Sequence, residues 1–207
     1  MVPGRYATAL VGFKGAYVVY RGDQPLTKLV GRGSDLLGAG SCEGPWYSDW
    51  QVWRVFGWPE DLPVDLLPEL RNATKAPVLA GEFWDDSAVH VKGLGLRTPP
   101  WQVWLKLDGV LGYMLTPPAP FDEDDNFLGE DWTDPEYERE VEQLRRRLLA
   151  AAPGGLEGAH KAVNWATEAG LQTLSPAEIA ETIDRDEDFS QDIFDELLAR
   201  LGVGPLE

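Results

Sequence analysis

Residues 78–94 read VLAGEFWDDSAVHVKGL, two apolar segments separated by turn-forming residues. Val78–Trp84 and Ala88–Leu94 are rich in residues that favour extended structure, and Asp85-Asp86 favours a tight turn. The pattern predicts two antiparallel strands joined by a two-residue turn. In such a hairpin Glu82 faces Val89, so His90 points to the opposite face of the sheet.

Two more hairpins and a short helix are predicted in the first 120 residues. The hairpins pair residues 6–13 with 16–20 around Lys14-Gly15, and residues 101–107 with 110–115 around Asp108-Gly109. Asp-Gly supplies the positive-φ turn that a tight hairpin prefers. The helix covers residues 63–73, although Pro68 disfavours a helix interior. Residues 1–120 are therefore expected to form a tryptophan-rich, β-rich α+β region.

Residues 121–207 carry helical patterns instead. Two segments have the spacing of a capping box, Thr133-Asp134-Pro135-Glu136 and Ser175-Pro176-Ala177-Glu178. Three to four helices are expected, and the last one buries Ile193 and Phe194 and ends at Gly202. The predicted fold class is α+β, with a boundary near the proline-rich residues 116–120 or with both regions packed as a single domain.

The negative charge of the chain is concentrated in its second part. The formal net charge is −17; residues 1–120 hold 11 basic and 12 acidic residues, whereas residues 121–207 hold 7 and 23. A strongly acidic protein repels nucleic acid and attracts basic proteins. We therefore expect a basic protein partner for residues 121–207 and no nucleic-acid ligand.

Composition excludes several other classes of function. No apolar run approaches the roughly 20 residues of a membrane helix, and no secretion signal is recognisable, so a cytoplasmic location is expected. One cysteine and two histidines favour neither a disulfide framework nor a transition-metal site, and no cofactor motif occurs. Arginine outnumbers lysine by 12 to 6, a bias typical of high-GC genomes such as those of actinobacteria.

Residues 184–195 resemble an EF-hand calcium loop. Carboxylates occupy positions 1, 3, 5, 9 and 12 of that loop, namely Asp184, Asp186, Asp188, Asp192 and Asp195. Phe189 stands where the motif needs glycine, and the last position holds aspartate where a longer glutamate is expected. The alternative interpretation is a solvated acidic linker before a helix.

Candidate residues for protein binding fall into an acidic and an aromatic group. The acidic group comprises Asp122, Glu123, Asp124, Asp125, Glu130, Asp131, Asp184, Asp186, Asp188 and Asp192. The aromatic group comprises Trp46, Trp50 and Trp53, which serve either as an interface or as core. In size, acidity and lack of a cofactor motif the chain resembles immunity proteins of bacterial toxin systems.

A catalytic site is less well supported by the sequence. Glu82, Asp85 and His90 are the candidates for acid and base catalysis, but the predicted hairpin puts Glu82 and His90 on opposite faces. Binding is therefore favoured over catalysis. The main hypothesis is an acidic protein-binding module, such as an inhibitor or immunity protein for a basic toxin or nuclease. The alternatives are a carboxylate-dependent hydrolase and an assembly protein that interacts through its tryptophans.

Overall fold

The computed structural model describes residues 13–30, 41–47, 49–57, 62–121, 126–129, 132–186 and 188–204. Six strands occur in these parts of the chain: β1 (Lys14–Arg21), β2 (Ser41–Tyr47), β3 (Trp50–Phe56), β4 (Val78–Trp84), β5 (Ala88–Leu94) and β6 (Trp101–Leu105). Seven helices occur there too: α1 (Leu26–Leu29), α2 (Leu66–Thr74), α3 (Leu107–Met114), α4 (Pro135–Ala151), α5 (Gly155–Glu168), α6 (Pro176–Ile183) and α7 (Ser190–Arg200). The predicted α+β class is confirmed.

The strands form one antiparallel sheet in the order β2-β3-β1-β4-β5-β6. The predicted strands β4 and β5 are confirmed and pair along their whole length. Their turn contains three residues, 85–87, and not two, with Asp85 in the left-handed region at φ 53°. Because the side-chain period of a strand is two, this extra residue changes which side chains share a face.

The predicted turn at Lys14-Gly15 is wrong, and residues 6–12 of the predicted hairpin lie outside the described residues. Lys14 and Gly15 belong to β1, which hydrogen-bonds to β3 on one side and to β4 on the other. Both edges of β1 are therefore occupied between Gly15 and Val19. Glycine is needed at position 15 because a Cβ atom there would lie 2.1 Å from the carbonyl oxygen of Val55.

The predicted hairpin around Asp108-Gly109 is also wrong. After β6, Lys106 adopts a left-handed φ of 57° and the chain enters α3. Gly109 lies inside this helix, where a Cβ atom would be 1.8 Å from the carbonyl oxygen of Ser87. The glycine thus permits close approach of α3 to the β4–β5 turn. Val110 and Leu111 are buried at helical spacing from Leu107.

The main core lies between one face of the sheet, here called the inner face, and helices α5–α7. It is formed by Tyr17, Val19, Phe83, Val91 and Val103 of the sheet and by Trp165, Ile179, Phe194 and Leu198 of the helices, among others. These residues come from both predicted regions. The division of the chain at residue 120 stays a prediction.

The other face, the outer face, carries two separate apolar clusters. The first packs α1 and α2 on Val18, Tyr20 and Val78, and the second packs α3 and the end of α4 on Ala88 and Trp104. Pro68 is tolerated in α2 because it lies in the first turn, where backbone N–H groups have no partner within the helix. Polar side chains lie on the sheet surface between the two clusters.

The helices of the second half begin largely where the capping patterns predict. Ser175 and Glu178 form the predicted capping box of α6. At α4 the predicted cap is one residue too early, because the carboxylate of Asp134, and not Thr133, accepts the N–H groups of Glu136 and Tyr137. Pro135 then occupies the first helical position, where its fixed φ and missing N–H suit a helix start.

Candidate functional site

A cleft of about 730 Å³ lies on the outer face, between the two apolar clusters, and its lining continues at the sheet edge with Trp101 of β6 and Lys161 of α5. Because alternate residues of a strand share a face, Glu82 of β4 and His90 and Lys92 of β5 all project from its floor. Apolar side chains form most of the walls: Leu62, Val64 and Leu67 beside α2, Leu94 on β5, and Trp84, Trp104 and Met114 beside α3. The cleft therefore combines an apolar wall with a charged floor.

Glu82 is the centre of the charged floor, and only 13% of its side chain is exposed. Its Oε1 accepts a hydrogen bond from Lys92 Nζ at 2.6 Å, and its Oε2 lies 3.6 Å from His90 Nδ1. Burial raises the pKa of Glu82, but hydrogen bonding to His90 and Lys92 outweighs burial, so the net pKa is lower than usual. Glu82 is therefore an ionised carboxylate at neutral pH.

His90 is held between this carboxylate and an aromatic ring. Its imidazole stacks on Trp104, with ring centroids 4.1 Å apart and ring planes 9° apart. Its Nε2 atom is covered by protein atoms and has no hydrogen-bond partner among the described residues. A general base must reach the proton that it abstracts, and the covered Nε2 atom has no such access in this geometry.

The prediction that Glu82 and His90 point to opposite faces is wrong. The three-residue turn pairs Trp84 with Ala88, which brings Glu82 directly opposite His90. The third catalytic candidate, Asp85, faces Lys14 Nζ at 3.3 Å. The structure thus brings together two of the three predicted residues.

Lys92 and the cleft walls were missed by the sequence analysis. A usable pattern was present, because Glu82 in β4 and His90 and Lys92 in β5 are polar residues at alternating positions within otherwise apolar strands. Such an arrangement places polar groups on one face of a central hairpin. The tryptophans that line the cleft are Trp84, Trp101 and Trp104, and all three lie outside the predicted aromatic group.

The four acidic candidates that the structure describes, Asp184, Asp186, Asp188 and Asp192, do not line this cleft. Asp122, Glu123, Asp124, Asp125, Glu130 and Asp131 lie outside the described residues. Asp184 accepts a hydrogen bond from the backbone N–H of Gly155 at the start of α5, at 2.9 Å. Asp188 contacts Arg185 at 3.3 Å, whereas Asp186 and Asp192 are exposed.

The candidate calcium residues do not converge in the described part of the chain. Asp184 caps a helix, Asp188 pairs with Arg185, and Asp192 and Asp195 lie on α7. Within the described residues, no three His, Cys, Asp or Glu side chains are arranged to hold a metal ion.

The predicted aromatic group is divided between the two faces of the sheet. Residues 50–56 form β3, so Trp50 lies on the inner face against Trp165, and Trp53 lies on the outer face in the first apolar cluster. The side chain of Trp46 is outside the described part. Trp50 and Trp53 therefore belong to the core.

The chain matches no model of a known protein family, and comparisons with curated proteins and with solved structures found no significant match. None of the helices in the described ranges is long and apolar enough to cross a membrane. The geometry of the cleft is therefore the main guide to a function.

Proposed function

We propose that the protein is a binding protein that holds a ligand in the cleft on the outer face of its sheet. The observation that supports this proposal is the Glu82–Lys92 ion pair on the cleft floor. An ion pair between a buried carboxylate and a half-buried lysine adds little net stability, because desolvation of the carboxylate offsets the attraction, and an apolar pair would serve the fold at least as well. Apolar walls around a few fixed polar groups are typical of ligand sites.

The same geometry favours binding over catalysis. One oxygen of Glu82 pairs with the ammonium of Lys92 and the other faces the imidazole of His90, whose second nitrogen is covered. Proton transfer to a substrate needs an acid or base within hydrogen-bond reach of the reacting atom. A hydrolase that uses Glu82 and His90 would first have to uncover one of them.

A thermal-shift screen of small organic compounds tests the proposal. A ligand that binds the folded state raises the melting temperature, so hits are expected for the wild-type protein. The variant Leu67→Trp narrows the cleft from its α2 side, whereas Leu156→Trp adds the same ring to an exposed position on α5 outside the cleft. We expect the hits to be lost in Leu67→Trp and kept in Leu156→Trp. Equal shifts in all three proteins would place the ligand elsewhere.

A second candidate function is the capture of a basic protein by the acidic helices, as an inhibitor or immunity protein would do. One observation favours it: Glu136, Glu138 and Glu140 are exposed at the start of α4, and none of them forms an ion pair within the described part of the chain. Exposed, unpaired carboxylates at the start of a helix speed the encounter with a cationic partner.

The salt dependence of association tests this second function. A partner recovered from the host at low salt should associate more slowly as salt rises, because exposed charges are screened over roughly 8 Å at physiological ionic strength. Replacing Asp122, Glu123, Asp124 and Asp125 with their amides should slow association further. An association rate that ignores both changes would limit the acidic residues to a role in solubility.

A further inference from the structure

The cleft contains more hydrogen-bond donors than the described residues provide with acceptors. Lys92 donates to Glu82 alone among the described residues, and 36% of its side chain is exposed, so its ammonium has N–H groups left for a ligand. The indole N–H groups of Trp84 and Trp101, which also line the cleft, have no acceptor there. Both indole nitrogens are covered, so an acceptor reaches them only after a side-chain rotation.

The charge of the cleft differs from that of the whole molecule. Its described lining contains one carboxylate, Glu82, which Lys92 neutralises, and a second ammonium from Lys161 of α5. Lys161 pairs with Glu157 outside the cleft at 2.9 Å and stays 42% exposed. The described lining thus carries two lysines and one carboxylate, in a chain whose net charge is −17. A cationic ligand would have to compete with Lys92 for the carboxylate of Glu82.

The walls define the rest of the ligand. Leu67, Leu94 and Met114 offer aliphatic contacts, and Trp84 offers an aromatic one. The volume of about 730 Å³ lies in the range of sites for drug-sized organic molecules. The ligand body that fits is apolar and partly planar.

We propose that the cleft binds an organic carboxylate with an apolar, aromatic body, and that its carboxylate is held by the ammonium of Lys92. This inference rests on the proposed function, because it names the ligand class of the same cleft. It assigns Lys92 two roles. Without ligand the lysine neutralises Glu82, and with ligand its remaining N–H groups bind the second carboxylate through charge-assisted hydrogen bonds.

A matched pair of probes separates the effect of the head-group charge on affinity from the effect of the aromatic body. 1-Naphthaleneacetate and 1-naphthaleneacetamide share one aromatic body and differ in the charge of the head group. Calorimetric titration at pH 7 should give about tenfold or greater preference for the acetate, the ratio expected for one charge-assisted hydrogen bond. In Lys92→Met this preference should disappear while the affinity for the acetamide stays unchanged.

Two further variants keep the test decisive. Lys28→Met, at an exposed position on α1 outside the cleft, should retain the preference for the acetate. The double variant E82Q/K92M removes both charges and leaves no buried carboxylate unpaired, so it serves if Lys92→Met alone does not fold. In the double variant we expect both probes to bind equally.

The outcomes distinguish this inference from the proposed function. Equal binding of the two probes by the wild-type protein, or an acetate preference that survives the loss of Lys92, overturns the inference but leaves the cleft as a ligand site. If neither probe binds and the thermal-shift screen yields no hit that depends on the cleft, the inference and the proposed function both fail.

Discussion

Glu168, the last residue of α5, fixes the connection between β5 and β6, and replacing it with alanine should weaken the fold substantially. Its carboxylate accepts hydrogen bonds from the N–H groups of Arg97 and Thr98 at 2.6 and 2.9 Å and from the Thr98 hydroxyl at 2.5 Å. Only 5% of the Glu168 side chain is exposed. Because Pro100 and Trp101 follow in the chain and line the cleft, this contact also sets one edge of the site.

The size of the effect follows from these contacts. A hydrogen bond to a charged group contributes about 1.5–3 kcal/mol to stability, but at a surface loop water can replace part of this contribution. We therefore expect Glu168→Ala to lower the free energy of unfolding by about 2–4 kcal/mol. The ion pair with the Arg97 side chain adds little, because that side chain is 88% exposed. Glu157→Ala is the control: it removes an exposed pair with Lys161 and should cost about 0.3–0.5 kcal/mol.

Urea unfolding at several pH values measures the effect. Burial raises the pKa of Glu168, but hydrogen bonds from Thr98 and Arg97 outweigh burial and lower the net pKa. The carboxylate therefore stabilises the fold above the pKa of an unfolded glutamate, about 4.3, and this stability is lost as pH falls through the lower folded pKa. The difference between wild type and Glu168→Gln should shrink below about pH 4. An unchanged unfolding midpoint in Glu168→Ala, or a difference between wild type and Glu168→Gln that is as large at pH 3 as at pH 7, would refute this account.

Four further predictions concern two glycines, the cleft floor and calcium. Gly81→Ala should lower the free energy of unfolding by about 1–3 kcal/mol, since the new Cβ atom would lie 2.5 Å from the buried ring of Phe194. Gly112→Ala should raise the free energy of unfolding by about 0.4–1 kcal/mol, because Gly112 lies in α3 with open space around it. Urea midpoints would decide both. Glu82→Gln should destabilise the protein at pH 7 and much less below pH 4. The pKa of Glu82 is lowered in the folded protein, so the carboxylate's contribution to the free energy of unfolding is lost on acidification. An equal loss of stability at both pH values would contradict this prediction. Calcium at millimolar concentration should leave the melting temperature unchanged, and a clear rise would restore a metal site at residues 184–195.

The sequence predicts those elements whose patterns are local. Apolar segments rich in strand-favouring residues identify β4 and β5, and the spacing of Ser175 and Glu178 identifies the start of α6. Asp108-Gly109 misleads because glycine has two uses. It permits positive φ in a turn, but here it permits the approach of α3 to the carbonyl oxygen of Ser87, which depends on tertiary packing.

The cleft depends on information that the sequence does not display. A single additional residue in the β4–β5 turn decides whether His90 shares a face with Glu82. The left-handed conformation of Asp85 accommodates this residue, and many different turn sequences can adopt that conformation. The cleft walls come from α2 and α3, which are distant in sequence and flank the same strands. Local patterns cannot specify this juxtaposition.

The most direct test of the proposed ligand site is to follow the indole N–H signals of the tryptophans by ¹H–¹⁵N NMR during titration with the hits of the compound screen. The signals of Trp84 and Trp104, which line the cleft, should shift progressively with ligand. Those of Trp50 and Trp165, which contact each other in the core on the inner face, should stay in place. Shifts confined to Trp50 and Trp165, or no shift in Trp84 and Trp104 at saturating ligand, would contradict a binding site on the outer face.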